Sequence, residues 1–130
     1  MATRPAAQPF FRQFVWYWLP VLVYITIIIV LSAQPGLKPP VNFINADKYY
    51  HVVEYGGLGV LLVRAMRVTA RARWPLYASL MALSLGTAIG AADEIFQSFV
   101  PGRESSIFDV LADVSGLVLA QIVYLFVVRE

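Results

Sequence analysis

The chain has 130 residues, 59% of them hydrophobic, with 10 basic and 8 acidic residues and a formal net charge of +2; its mean hydropathy is +0.68. A soluble domain of this length needs far more polar surface, and so small a positive balance is no argument for a nucleic-acid partner. The absence of cysteine excludes disulfides, thiolate metal sites and cysteine nucleophiles, and the single histidine, His51, excludes a multi-histidine metal site within one chain.

Four apolar stretches follow in chain order. The first covers about 14–31, after an N-terminal segment, 1–13, that carries Arg4 and Arg12. Its apolar run exceeds the ~7–15 residues of a signal-peptide core, and Leu31 suits a cleavage motif poorly, so the stretch is expected to be retained as a membrane span. The second, about 48–67, is the weakest, because it contains His51 and Glu54. The third, about 75–99, has Asp93 and Glu94 near its end; the fourth, about 107–128, has Asp109 and Asp113 near its start. Each comes near the ~20 residues that cross a bilayer core. None shows the period-2 alternation of barrel strands, which leaves helices as the way to satisfy the backbone in lipid. The expected fold is an all-α membrane protein, a four-transmembrane-helix bundle forming one domain over residues 14–130.

The basic residues set the expected orientation. With an even number of spans, Arg4, Arg12, Arg64, Arg67, Arg71, Arg73 and Arg129 share one side, and Lys38, Lys48 and Arg103 the other. The richer side is expected to be cytoplasmic, with both termini. Trp16, Tyr17, Trp18, Trp74 and Tyr77 suit an inner aromatic belt. Of the acids, only Glu130 then falls on the cytoplasmic side; Asp47, Glu54, Asp93, Glu94, Glu104, Asp109 and Asp113 all fall outward.

A projection at ~100° per residue places Asp47, His51, Glu54, Tyr55 and Leu58 on one face of the second helix. Gly86, Gly90, Asp93, Glu94 and Gln97 share a face of the third, and Asp109, Ala112, Asp113, Gly116 and Ala120 a face of the fourth. Gly86 and Gly90 form a GxxxG pair that permits close helix approach. Joining the three faces creates an outward-opening polar pocket, with the first helix packed outside. Ionisable groups at such depth are costly and mark functional sites. Arg103, after the Pro101-Gly102 turn, is expected to clamp an anion in bidentate fashion. His51 is an acid–base candidate near neutral pH, with Asp47 one turn away to hold its tautomer and Asp93 as a further catalytic candidate. Glu94, Gln97, Asp109, Asp113 and Tyr55 are expected ligand contacts. The acids Asp93, Glu94 and Asp109 repel one another unless protonated or joined by a divalent cation. Ser105 and Ser106 also suit a cap for the fourth helix, with Asp109 three residues after Ser106 in a capping box.

At these residues the chain resembles the VanZ-like membrane proteins. The resemblance rests on Ser32-Ala33-Gln34-Pro35, on Asp47-Lys48-x-x-His51-x-x-x-Tyr55, on Asp93-Glu94-x-x-Gln97-x-x-x-Pro101-Gly102-Arg103, and on the segment from Asp109 to Gly116. It covers nearly the whole chain after residue 14. One departure is Asp113, where the family pattern more often has asparagine. The family is named for a protein associated with reduced susceptibility to teicoplanin, so the resemblance implies a multi-pass protein of the bacterial inner membrane with a role at the cell envelope.

The expected function is recognition of a polar or anionic envelope headgroup, lipid-linked or not, at the extracytoplasmic face. The residues leave open whether the ligand is also processed; a hydrolase or transferase would use His51 or a carboxylate. They also leave open a small assembly partner that packs through GxxxG against another membrane protein or a second copy. A transporter is less favoured, because inner segments such as 76–86 and 118–128 offer few polar residues, among them Ser79, Ser84, Gln121 and Tyr124.

Overall fold

The computed structural model describes residues 9–70 and 75–127. Arg4, Arg71, Arg73, Trp74, Arg129 and Glu130 lie outside the described residues, as do the first eight residues of the N-terminal segment. The described residues contain four long helices and no strand: α1 (Phe10–Ser32), α2 (Ala46–Thr69), α3 (Pro75–Gln97) and α4 (Ile107–Val127).

Helix α1 begins four residues before the expected Phe14, and its turn Phe14–Trp18 is π-helical. Pro20 explains the irregularity. It offers no N–H to the carbonyl four residues back, at Trp16, and its ring crowds that carbonyl. Widening the preceding turn relieves both defects. Helix α2 starts at Asn45, the one non-glycine residue with a positive φ (59°) among the described residues. Its far end is tied to α1, where Trp18 Nε1 donates to Thr69 Oγ1 at 2.7 Å. Pro75 opens α3, where a missing N–H costs nothing.

Three helices, α1, α3 and α4, are long and apolar enough to cross a membrane. Their exposed faces carry Leu22, Val23, Ile27, Val30, Leu76, Leu80, Leu119, Ile122 and Phe126. An apolar surface of this extent suits contact with lipid. Helix α2 has the length, 24 residues, but carries Asp47, Lys48, Glu54, Arg64 and Arg67. It is the central helix: Tyr55, Leu58, Gly59, Leu62, Val63, Ala65 and Met66 are all buried, against Val21 and Ile28 of α1, Ala78 and Ala82 of α3, and Leu117 of α4.

Small residues set the spacing around α2. Gly56 faces the Gly116 carbonyl of α4, Gly59 faces Ala120, and Gly57 receives the Tyr24 phenol of α1. The GxxxG pair Gly86 and Gly90 also faces α4, against Leu117 and Asp113. The closest backbone approach is elsewhere, at Gly116 against Val52 and Gly56.

Candidate functional site

The polar side chains gather at the end of the molecule where α2 and α4 begin and α3 finishes. The first turns of α2 contribute Asp47, Lys48, His51, Glu54 and Tyr55. The last turns of α3 contribute Asp93, Glu94 and Gln97, and the first turns of α4 contribute Asp109 and Asp113. Tyr55, Asp93, Glu94, Gln97, Asp109 and Asp113 are buried, and Asp113 and Tyr55 are 0% exposed.

His51 stands at the centre. Its Nδ1 lies 2.8 Å from Asp113 Oδ1. An ionised carboxylate is acceptor-only, so with Asp113 ionised it is Nδ1 that carries the proton in this pair. Nε2 then has the free lone pair, or a second proton in the imidazolium, and lies 3.9 Å from Asp109 Oδ1. Asp113 therefore does what was expected of Asp47. Asp47 is instead engaged by the Lys48 ammonium at 2.5 Å, with its side chain 52% exposed. A full cation one residue away is a stronger partner than a neutral imidazole. Lys48 also donates to Asp109 Oδ1, linking the start of α2 to the start of α4.

The acids separate into two groups. Gln97 Nε2 donates to Asp93 Oδ2 at 3.0 Å and to Ser32 Oγ of α1 at 3.1 Å. Asp93 is thus turned toward α1. The expected trio of Asp93, Glu94 and Asp109 does not assemble with ligand-like spacing; His51, Glu94 and Asp109 do, with donor atoms all within 4.8 Å of one another.

Glu94 also closes the end of the site. Ser105 Oγ donates to its carbonyl at 2.9 Å, and its Oε2 accepts from the Ser106 N–H at 3.4 Å. Ser106 Oγ accepts from Phe108 N–H at 3.0 Å, so Ser106 caps α4 as expected. The reciprocal acid of the capping box is Glu94 from α3, not Asp109, which is held by Lys48.

Arg103 does not point at the carboxylates with a bidentate fork. Its Nη1 donates to the Leu37 carbonyl at 3.0 Å, joining the α3–α4 loop to the α1–α2 loop. Beside it Gly102 (φ 74°) lies against Gly36 (φ 61°), where a Cβ on Gly102 would sit 3.2 Å from the Gly36 nitrogen. This left-handed turn, pressed on a neighbouring backbone, needs glycine.

Four buried oxygens of the site have no hydrogen-bond partner: Tyr55 Oη, Asp93 Oδ1, Glu94 Oε1 and Asp113 Oδ2. Buried polar atoms without partners are where water, an ion or a ligand is expected. Between the first turns of α2 and α4 lies an open groove lined by Asn45, Lys48, Phe108, Leu111, Ala112 and Ser115.

Three contributors escaped the sequence reading. Lys48, counted in the sequence only among the outer basic residues, bridges two helices. Ser32 and Tyr24 lie on the helix expected to pack outside, yet Ser32 receives Gln97, and Tyr24 Oη donates to the Glu54 carbonyl at 2.8 Å. Ser32 had a signal, as the first residue of the Ser-Ala-Gln-Pro segment; Tyr24 had none.

The VanZ/LLP1 family model matches residues 10–128, and the chain belongs to that family. No curated protein and no solved structure matches it.

Proposed function

We propose that this VanZ/LLP1 membrane protein crosses the bacterial cytoplasmic membrane four times, with both termini inside, and that its extracytoplasmic end binds a polar or anionic envelope headgroup. One observation carries the reading: the buried side chains of Glu94, Asp109 and Asp113, from two helices, meet His51 and Lys48 of a third at the end of the molecule where Asp93 is also buried. Burying ionisable groups in a membrane protein is expensive, and they are kept where a ligand or ion uses them.

The fourth crossing is supported by the length of α2, ~36 Å at 1.5 Å per residue, and by the way it turns His51 and Tyr55 toward α3 and α4. The orientation is supported by Arg12, Arg64 and Arg67, which lie toward the opposite end among the described residues. The groove that shares Lys48 with the site is amphipathic. Lys48 and Asn45 line its polar part, and Phe108 and Leu111 line the rest. A phosphate or carboxylate headgroup suits the first pair and an acyl or prenyl chain the second. Arg103, with one N–H of five spent on Leu37, adds a second cation at the loop junction. His51, oriented by Asp113, is the group that would move a proton if the ligand were transformed.

Retention of an anionic lipid by the purified protein, read by native mass spectrometry, tests the binding. Susceptibility to teicoplanin in a strain carrying the protein tests the envelope role. Arg103→Ala, Asp93→Asn and Asp109→Asn are expected to lower both; if all three leave both unchanged at equal protein levels, the reading fails. With no native cysteine, single substitutions test the sidedness. Glu104→Cys should react with a membrane-impermeant maleimide in intact cells, and Ala70→Cys only after permeabilisation; the reverse pattern would invert the orientation.

A further inference from the structure

We infer that His51 Nε2, Glu94 and Asp109 form a binding site for a divalent transition-metal cation of the zinc class, with Asp113 orienting the histidine and the Lys48 ammonium as the charge the metal displaces. The inference deepens the headgroup reading by giving that site a cation, yet the metal site stands on these residues alone.

The donor set is the first argument. The donor atoms of His51, Glu94 and Asp109 all lie within 4.8 Å of one another. Zinc bonds of ~2.1 Å place tetrahedral ligand atoms ~3.4 Å apart, so modest side-chain rotations close the shell. One imidazole with two carboxylates favours zinc-class ions over calcium or magnesium, which take all-oxygen sets.

Independent of the acids' proximity is an unpartnered, buried oxygen within the donor set itself. Glu94 is 4% exposed. Its Oε2 is occupied by the Ser106 N–H, but its Oε1 has no partner; it stands 3.9 Å from His51 Nδ1, on the Asp113 side of the ring, and a turn of the Glu94 side chain brings it to Nε2. The Tyr55 hydroxyl, on another helix and fully buried, is likewise unpartnered. Its ring and the Asp113 carboxylate both lie against Gly90, since a Cβ there would be 3.2 Å from Tyr55 Cε1 and 3.0 Å from Asp113 Oδ2.

The arrangement around His51 is the third argument. Metal-bound histidine typically gives its other ring N–H to a carboxylate, which fixes the tautomer and raises the basicity of the ligating nitrogen. Asp113 stands in that position at 2.8 Å from Nδ1, leaving Nε2 toward Asp109. Lys48 meanwhile holds the Asp109 oxygen nearest to Nε2. A +2 ion at the centre neutralises Glu94 and Asp109 directly, and Lys48 then needs only Asp47.

Calorimetric titration of zinc into the full-length, chelator-stripped protein in detergent, with elemental analysis of the product, tests this without any headgroup present. One zinc per chain is expected. His51→Gln and Glu94→Gln should abolish it. Asp113→Asn should weaken it by about 10–100-fold, the usual effect of removing an outer partner. Lys48→Gln should bind zinc more tightly, by about tenfold, the factor that ~1.4 kcal/mol of released ion pairing produces. A gain of affinity cannot come from misfolding. Absence of zinc from the wild type, equal binding by His51→Gln and Glu94→Gln, or no gain with Lys48→Gln would each overturn the inference. If zinc fails to bind while anionic lipid is retained, the metal inference alone falls. If zinc binds and lipid does not, the headgroup reading falls.

Discussion

Replacing Gly116 with alanine should separate α2 from α4 and loosen the site in one step. A Cβ at Gly116 would lie 2.9 Å from the Gly56 nitrogen and 3.0 Å from the Val52 carbonyl carbon, with the Val52 oxygen closer still. These are backbone atoms, so no rotamer change makes room. Restoring ordinary contact at ~3.5 Å to the Val52 oxygen requires the helices to part by about 1 Å. Overpacking of this kind costs about 1–3 kcal/mol, and a rigid backbone on the far side puts it at the upper end. Alanine recovers about 1 kcal/mol of helix propensity over glycine, which leaves a net loss of about 2 kcal/mol. Gly56→Ala is the matched control across the same seam. Its Cβ would meet only the Gly116 oxygen, at an ordinary 3.6 Å, so propensity should make it neutral or stabilising by up to ~1 kcal/mol. SDS titration in mixed micelles, followed by tryptophan fluorescence, separates the two variants. Because Asp113 lies one turn from Gly116 and His51 adjoins Val52, the 2.8 Å His51–Asp113 bond should stretch past the ~3.2 Å limit of a good hydrogen bond. Zinc affinity should then fall with stability. If Gly116→Ala unfolds at the same SDS fraction as Gly56→Ala, the backbone contact does not set the helix spacing and the reasoning is wrong.

Tyr24→Phe removes only the donor to the Glu54 carbonyl. It should cost about 0.6 kcal/mol, the typical worth of an interhelical hydrogen bond in a membrane protein, and leave zinc affinity unchanged; a large loss of zinc binding would show that α1 positions the site. Ser106→Ala removes the α4 cap at Phe108 N–H and should cost about 1 kcal/mol in the same SDS titration, while Ser105→Ala, which caps no helix N–H, should cost less. Asp113→Asn keeps an oxygen that can accept from His51 Nδ1–H and removes a fully buried charge that has one unpartnered oxygen. Stability should therefore stay within about 1 kcal/mol of the wild type, since the desolvation of that charge is relieved, even as zinc affinity drops; unfolding of this variant would mean that the His51–Asp113 pair is needed as an ion pair.

Apolar run lengths and helical periodicity were enough to place four helices and to bring the stripes of α2, α3 and α4 to one end, because those features depend on each helix alone. Partner choice within the cluster was not legible. Whether His51 takes Asp47 or Asp113 is decided by how close α4 comes to α2, a distance set by Gly116 and Gly56 and invisible in either helix separately. The fate of Asp93 was hidden for a similar reason. Its neighbour Gln97 sits one turn away on the same helix, but the amide is oriented by Ser32 of α1, 65 residues distant in sequence. The capping box showed the same limit, since the acid that answers Ser106 comes across the loop from α3 and not from within α4.

The low apolarity of α2 follows from its position. Lipid demands apolar side chains only where a helix faces it, and α1, α3 and α4 meet that demand with exposed leucine, isoleucine, valine and phenylalanine. A helix packed against all three neighbours can carry charge at no cost to lipid contact, provided those charges are answered by neighbouring helices. Lys48 is answered by Asp109 and His51 by Asp113, both on α4. Such answers require the helices to be close, and the glycines of α2 and α4 supply that closeness. The polar cluster and the glycine seam are thus two parts of one arrangement. A longer side chain at Gly116 or a lost carboxylate at Asp109 should each be felt at His51, although neither residue neighbours it in sequence.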